Sequence, residues 1–231
     1  MSETIETLLR TGADAATALI APGRPPLTHG ALRALVAATV RSLNAAGAGR
    51  NDRVAIVLDN GPEMAACFLA CAAGTTSAPL NPGYRAEEFE FYLSDLSAKL
   101  LVVARGSASP AVAVADKLGV RIVDLVVDDG APAGSFRLEP RASSAEVAPA
   151  ASGGVATAGD IAMVLHTSGT TSRPKIVPLS VANLCASAKN IRASLALAPS
   201  DVGLNIMPLF HIHGLIAGVL APLSAGRHDL A

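Results

Sequence analysis

Five short apolar runs, Val54–Leu58, Thr76–Leu80, Leu100–Ala104, Arg121–Val127 and Ile161–Leu165, alternate with segments of helical periodicity. This rhythm constrains the fold more than any other feature of the chain. Each run is too short for a stable helix and too uniformly apolar for a strand with one wet face, so each reads as a strand covered on both sides. Between them, Thr28 is placed to cap a helix reaching about Ala46, with Leu32, Leu35, Val36, Val40 and Leu43 on one face. Pro62 suits the first turn of a helix reaching about Ala73. Residues 85–97 read as an amphipathic helix, and a helix near 108–118 stops at Gly119. The alternation predicts an α/β fold with a largely parallel sheet flanked by helices.

Further along, Ser180 is expected to cap a helix to about Leu197, Val202–Met207 to form a strand, and Gly214–Leu223 a helix. Residues 128–159 are rich in Ala, Gly, Ser and Pro and read as an irregular connection.

Composition narrows the function. Apolar residues make up 51% of the 231 positions, enough for a core and against disorder. A formal net charge of −1 leaves no basic footprint for nucleic acid. The chain has no uninterrupted apolar run of membrane-spanning length. Cys67, Cys71 and Cys185 lack metal or secretory spacing, and the first residues are acidic, so the expectation is a reduced, cytoplasmic setting. Cys67 and Cys71 stand one helical turn apart and read as core, as does Cys185. Glu87, Glu88 and Glu90, with Arg85 beside them, read as a solvated helix face.

The chemistry is concentrated in Val164-Leu-His-Thr-Ser-Gly-Thr-Thr-Ser-Arg-Pro-Lys175. A strand runs directly into a loop of small hydroxyl residues around Gly169 and ends at a lysine. Glycine allows consecutive backbone N–H groups to turn toward one anion. Thr167, Ser168, Thr170, Thr171 and Ser172 add hydroxyl donors, and Lys175 adds a mobile charge. The order is not that of a Walker A loop, because Pro174 precedes Lys175 and Ile176 follows it. That disfavours a phosphotransferase.

The run T-S-G-T-T-S-R-P-K resembles the phosphate-binding signature of the AMP-forming adenylate ligases, the superfamily that includes the acyl-CoA synthetases. Pro208-Leu-Phe-His-Ile-His-Gly-Leu215 resembles the family's next motif, and the likeness extends through Asn60–Glu63, Ala78–Pro82 and Ala86–Asp95 to about Gly226. Ser172 before Arg-Pro-Lys, the F-H-I-H-G-L block and E-E-F-E-F-Y-L-S-D are most similar to the oxalate–CoA ligase branch.

That resemblance implies a loop, Thr167–Thr171 with Ser172, which cradles ATP phosphates, and Lys175 neutralising the leaving pyrophosphate. Phe210, His211 and Gly214 would border the acyl pocket; for His211 the alternative is an imidazole satisfied inside the core. His211 and His213, two apart, would share one side of an extended segment, but a third metal ligand is not evident. The implied reactants are a small carboxylic acid, ATP with Mg2+, and coenzyme A. The family's Y-G-x-T-E-like motif, its ribose-binding aspartate, and its lid with the adenylation lysine are not found in the 231 residues. Residues 1–231 therefore read as a partial N-terminal AMP-binding (adenylation) domain, poorly active alone and prone to self-association. Fatty- or aromatic-acid ligation, or nucleotide binding without turnover, are the other readings.

Overall fold

A computed structural model describes residues 3–141, 147–167, 174–226 and 228–230. In chain order these residues form α1 (Ile5–Leu8), β1 (Thr17–Ile20), β2 (Leu27–Thr28), α2 (His29–Ala45), β3 (Arg53–Val57), α3 (Pro62–Gly74) and β4 (Thr76–Pro79). They continue with α4 (Ala86–Asp95), β5 (Leu100–Ala104), α5 (Pro110–Leu118), β6 (Arg121–Val126), β7 (Arg137–Pro140), β8 (Ile161–Thr167) and β9 (Lys175–Ser180). The last elements are α6 (Val181–Ser194), β10 (Val202–Leu204), a π-helix (His213–Leu220), α7 (Ala221–Ser224) and β11 (His228–Leu230).

The expected sheet is present. Seven strands run in the order β7-β6-β5-β3-β4-β8-β9, and β6, β5, β3, β4 and β8 are mutually parallel. Alternation along each strand divides the core in two. Val54 and Ile56 of β3 face the α2, α3 and α6 side, and Ala55 and Val57 face α4 and α5. Burial on both faces is why these strands carry no polar alternation.

The local signals lie where their chemistry requires. Thr28 caps α2 by accepting from the Ala31 N–H at 3.2 Å, and Ser180 caps α6 by accepting from the Asn183 N–H at 3.2 Å. Gly119 ends α5 in the left-handed region, at φ 69°. Helix α3 departs from an amphipathic pattern: every residue but Glu63 is buried, because the sheet lies on one side and α2 on the other. Glu63 is itself tied to Arg24 and accepts from the Gly134 N–H at 3.1 Å.

Four expectations are corrected. The irregular connection contains β7, which pairs antiparallel with β6 at the sheet's margin. The βαβ rhythm breaks after β8, where β9 returns antiparallel as an edge strand before α6 begins. The strand expected to reach Met207 ends at Leu204, because the Asn205 side chain accepts from the Met207 N–H at 3.1 Å and bends the chain. The helix expected from Gly214 is wound as a π-helix from His213 before becoming α-helical at Ala221.

A smaller four-stranded sheet, β10-β11-β1-β2, joins segments distant in sequence. Among the described residues, no helix is long and apolar enough to cross a membrane.

Candidate functional site

Thr167 is the last residue of β8 and Lys175 the first of β9, and the two are direct cross-strand partners. Cross-strand partners share a face of their hairpin, so the lysine and the threonine flank the base of the loop together. Both are exposed. Ser168, Gly169, Thr170, Thr171 and Ser172 lie outside the described residues.

The second motif is built at the carboxyl end of β3, where Asn60 acts as a clamp. Its Nδ2 donates to the Met207 carbonyl at 3.3 Å, and its Oδ1 accepts from the Leu209 N–H at 2.8 Å. Asn205 adds a second brace by donating to the Gly214 carbonyl at 3.2 Å. Between these anchors the chain turns, with the His211 N–H donating to the Pro208 carbonyl at 3.1 Å. His211 therefore sits in a turn and His213 begins a helix, so the extended alternation that would have set both rings on one side does not exist. Phe210 packs against His211, with ring centroids 4.5 Å apart.

Removing the clamp isolates its contribution. Asn60→Ala is expected to cost about 1–3 kcal/mol, since the partly buried Leu209 N–H is left without its acceptor. Urea unfolding with hydrogen exchange at Leu209 checks it; an unmoved midpoint together with unchanged exchange would refute the clamp.

The two motifs meet. Leu165, His166 and Thr167 of β8, Val177 and Leu179 of β9, and Phe210, His211 and Ile212 line one cleft of about 330 Å3. Its walls are mainly apolar, with Thr167 and His211 as the polar side chains and the His166 ring turned to the opposite face of β8, a composition suited to a small ligand oriented by few contacts. Gly214 does not line the cleft. A Cβ at Gly214 would lie 2.5 Å from the Pro208 oxygen and 3.1 Å from that of Met207, so this glycine permits the close approach that shapes the turn.

A larger groove of about 740 Å3 lies at the opposite end of the sheet, along the first residues of β3 and β6. Its Lys99 is paired with Asp52 at 2.9 Å, and Arg53 donates to the Leu96 carbonyl at 2.7 Å. Open α/β sheets bind ligands beyond the carboxyl ends of their strands, which favours the cleft between the motifs.

Sequence reasoning passed over His166. Its Nε2 lies 3.0 Å from Asp95 Oδ2 at the end of α4, with its ring edge-on to Tyr92 at a centroid distance of 4.6 Å. The available signal was the alternation along β8, which sets His166 on the same side as the buried Val164.

The thiols take no part. The hydrogen bond with Cys71, then burial, holds the Cys67 thiol well above its ordinary range, and burial pushes Cys185 up to about 11. Of the helix-face glutamates, Glu88 accepts from the Arg85 N–H and Glu90 pairs with Lys117 at 2.7 Å. Among the described residues, no three His, Cys, Asp or Glu side chains gather as a metal site.

A family described as AMP-binding enzyme matches residues 10–228. An oxalate–CoA ligase of Arabidopsis thaliana is 44% identical over 211 residues, covering 90% of this chain and 40% of that protein. An oxalate–CoA ligase of Saccharomyces cerevisiae is 38% identical, covering 74% of this chain and 35% of that one. The crystal structure of ATP-bound MatB from Rhodopseudomonas palustris superposes with a TM-score of 0.80 at 25% identity, over 100% of this chain and 45% of that one. The chain thus spans less than half the length of these relatives.

Proposed function

Because the chain belongs to the family of AMP-binding enzymes, we propose that it carries the phosphate-binding and acid-binding part of an AMP-forming acid–CoA ligase. The observation that carries this reading is the convergence of the two motifs on one cleft at the carboxyl end of the sheet. In the proposed reaction a carboxylate oxygen attacks the α-phosphorus of ATP and displaces pyrophosphate. The thiol of coenzyme A then displaces AMP to give the thioester.

The residues here serve the first half. Donors of the 167–172 loop and the Lys175 ammonium meet the charge that accumulates on the departing pyrophosphate, the kind of preorganised stabilisation that lowers such a barrier most. Phe210 and His211 bound the acid. For Mg2+, which would accompany ATP, the described residues offer no acidic cluster.

The preferred acid is a small dicarboxylate such as oxalate. A cleft of about 330 Å3 whose polar side chains are the His211 imidazole and the Thr167 hydroxyl supports it over a long-chain fatty acid. The likeness to two oxalate–CoA ligases points the same way. Nucleotide binding without turnover is the second reading. Val202 and Leu204 of the edge strand β10 and Ile206 just beyond it are exposed apolar residues, which supports association between copies. The buried free thiols fit the proposed cytoplasmic setting.

Calorimetric titration with ATP tests the site. Lys175→Ala is expected to weaken binding roughly ten- to a hundredfold, the range of one charge-assisted hydrogen bond. Equal affinity in the variant would remove the lysine from the site. Titrating oxalate and hexanoate against the ATP-loaded chain separates the acids: binding of oxalate alone supports the dicarboxylate, and binding of hexanoate alone rejects it.

A further inference from the structure

The two ends of β8 are held differently. At its start, Ile161 donates its N–H to Asn51 Oδ1 at 2.8 Å and accepts at its carbonyl from Thr76 Oγ1 at 2.6 Å. The neighbouring strand β4 pairs with β8 at Ser77 and Met163. Beyond Met163, toward the phosphate loop, the ladder continues only on the other side, with β9. Strand β9 is itself the edge of the sheet, so a hairpin arm projects from the body just where the loop must be held steady.

His166 is the polar attachment of that arm to the body. Its side chain is 7% exposed, on the α4 side of β8 where a further apolar residue would satisfy the pattern. An imidazole enclosed there needs a polar partner, and Asp95 supplies it at 3.0 Å. Tyr92 and Phe91 of α4 confine the ring at centroid distances of 4.6 and 6.4 Å.

We propose that His166 and Asp95 are positioning residues for the phosphate loop: their hydrogen bond fixes the strand end from which the loop departs to the last turn of α4. The proposal rests on the loop's role in binding ATP. Thr167 and Lys175 then meet the phosphates in a geometry set in advance, rather than one organised at a cost on binding.

The test uses the full 231-residue chain with His166→Leu, His166→Gln and Asp95→Ala. Gln keeps an N–H donor for Asp95, and Leu keeps only bulk. Without ligand, amide exchange at residues 165–167 and 175–177 is expected to quicken about tenfold in the Leu and Ala variants, equivalent to about 1.4 kcal/mol. It should return most of the way toward wild type in the Gln variant. Affinity for ATP should fall about three- to tenfold in the same two variants, recover in the Gln variant, and fall no further in the Leu/Ala double variant. Unchanged exchange in both the Leu and Ala variants overturns the proposal, as does a Gln variant no better than Leu. If His166→Leu does not fold, Asp95→Ala and His166→Gln decide alone. No ATP binding by the unsubstituted chain overturns the nucleotide reading by itself, and the exchange result still decides whether the pair holds the strand end.

Discussion

Phe68→Ala is expected to destabilise the protein by about 3–5 kcal/mol, a large part of the roughly 5–15 kcal/mol that holds a domain together. Phe68 is fully buried at the middle of α3. The usual relief for such a deletion is collapse of the neighbours into the space, and here they have little freedom to move. At the helix end, a Cβ on Gly74 would stand 2.6 Å from Val40 Cγ1, so α2 and α3 already touch closely. The other face of α3 rests on a sheet fixed by its ladders. Equilibrium unfolding in urea measures the loss. A cost below about 1 kcal/mol would mean that the helix layer repacks freely around the space left behind.

The second large effect is expected at Gly214. Gly214→Ala should cost about 1–3 kcal/mol, and more if the turn cannot shift, because the atoms its Cβ meets are the carbonyls of Pro208 and Met207 rather than side-chain ends that could swing away. The turn that carries Phe210 and His211 must then move, so acid binding should suffer along with stability. Gly159→Ala is a suitable control, since nothing lies within 4 Å of a Cβ there. Denaturation of the two variants side by side provides the measurement. Equal small losses would show that the close approach at Gly214 is not limiting.

The caps at Thr28 and Ser180, the Pro62 start and the Gly119 stop were legible because each rests on interactions within a few residues, and the parallel strands because burial on both faces leaves an unbroken apolar run. Strand β9 was not. Pro178 lies inside it and argues against a strand, yet Pro178 is tolerated because β9 is an edge and has a ladder on one side only. Strand β7 was hidden by its composition, with burial that is intermediate at best, so no apolar run marks it. At the site, Thr167, Phe210 and His211, singled out in the sequence, line one cleft. What joins them was not legible, because Asn60 reaches its partners at Met207 and Leu209 through folding alone, as Asp95 reaches His166. The role read for Gly214 was also incomplete, since its lack of a side chain shapes the turn from behind the cleft.

The four-stranded sheet has a consequence for how the protein is made. Strand β1 is paired on one side with β2, a few residues away, and on the other with β11, where Leu19 stands opposite Asp229. The first parallel unit to emerge during synthesis, β3-α3-β4, contains its own partners and can assemble as it appears. Strand β1 must leave one edge open until residues 228–230 have followed it, because pairing across such a separation cannot begin earlier. During that interval it is a template for any extended segment nearby. Slow translation of the later codons should therefore favour aggregation, and a holdase chaperone that covers residues 17–20 should relieve it.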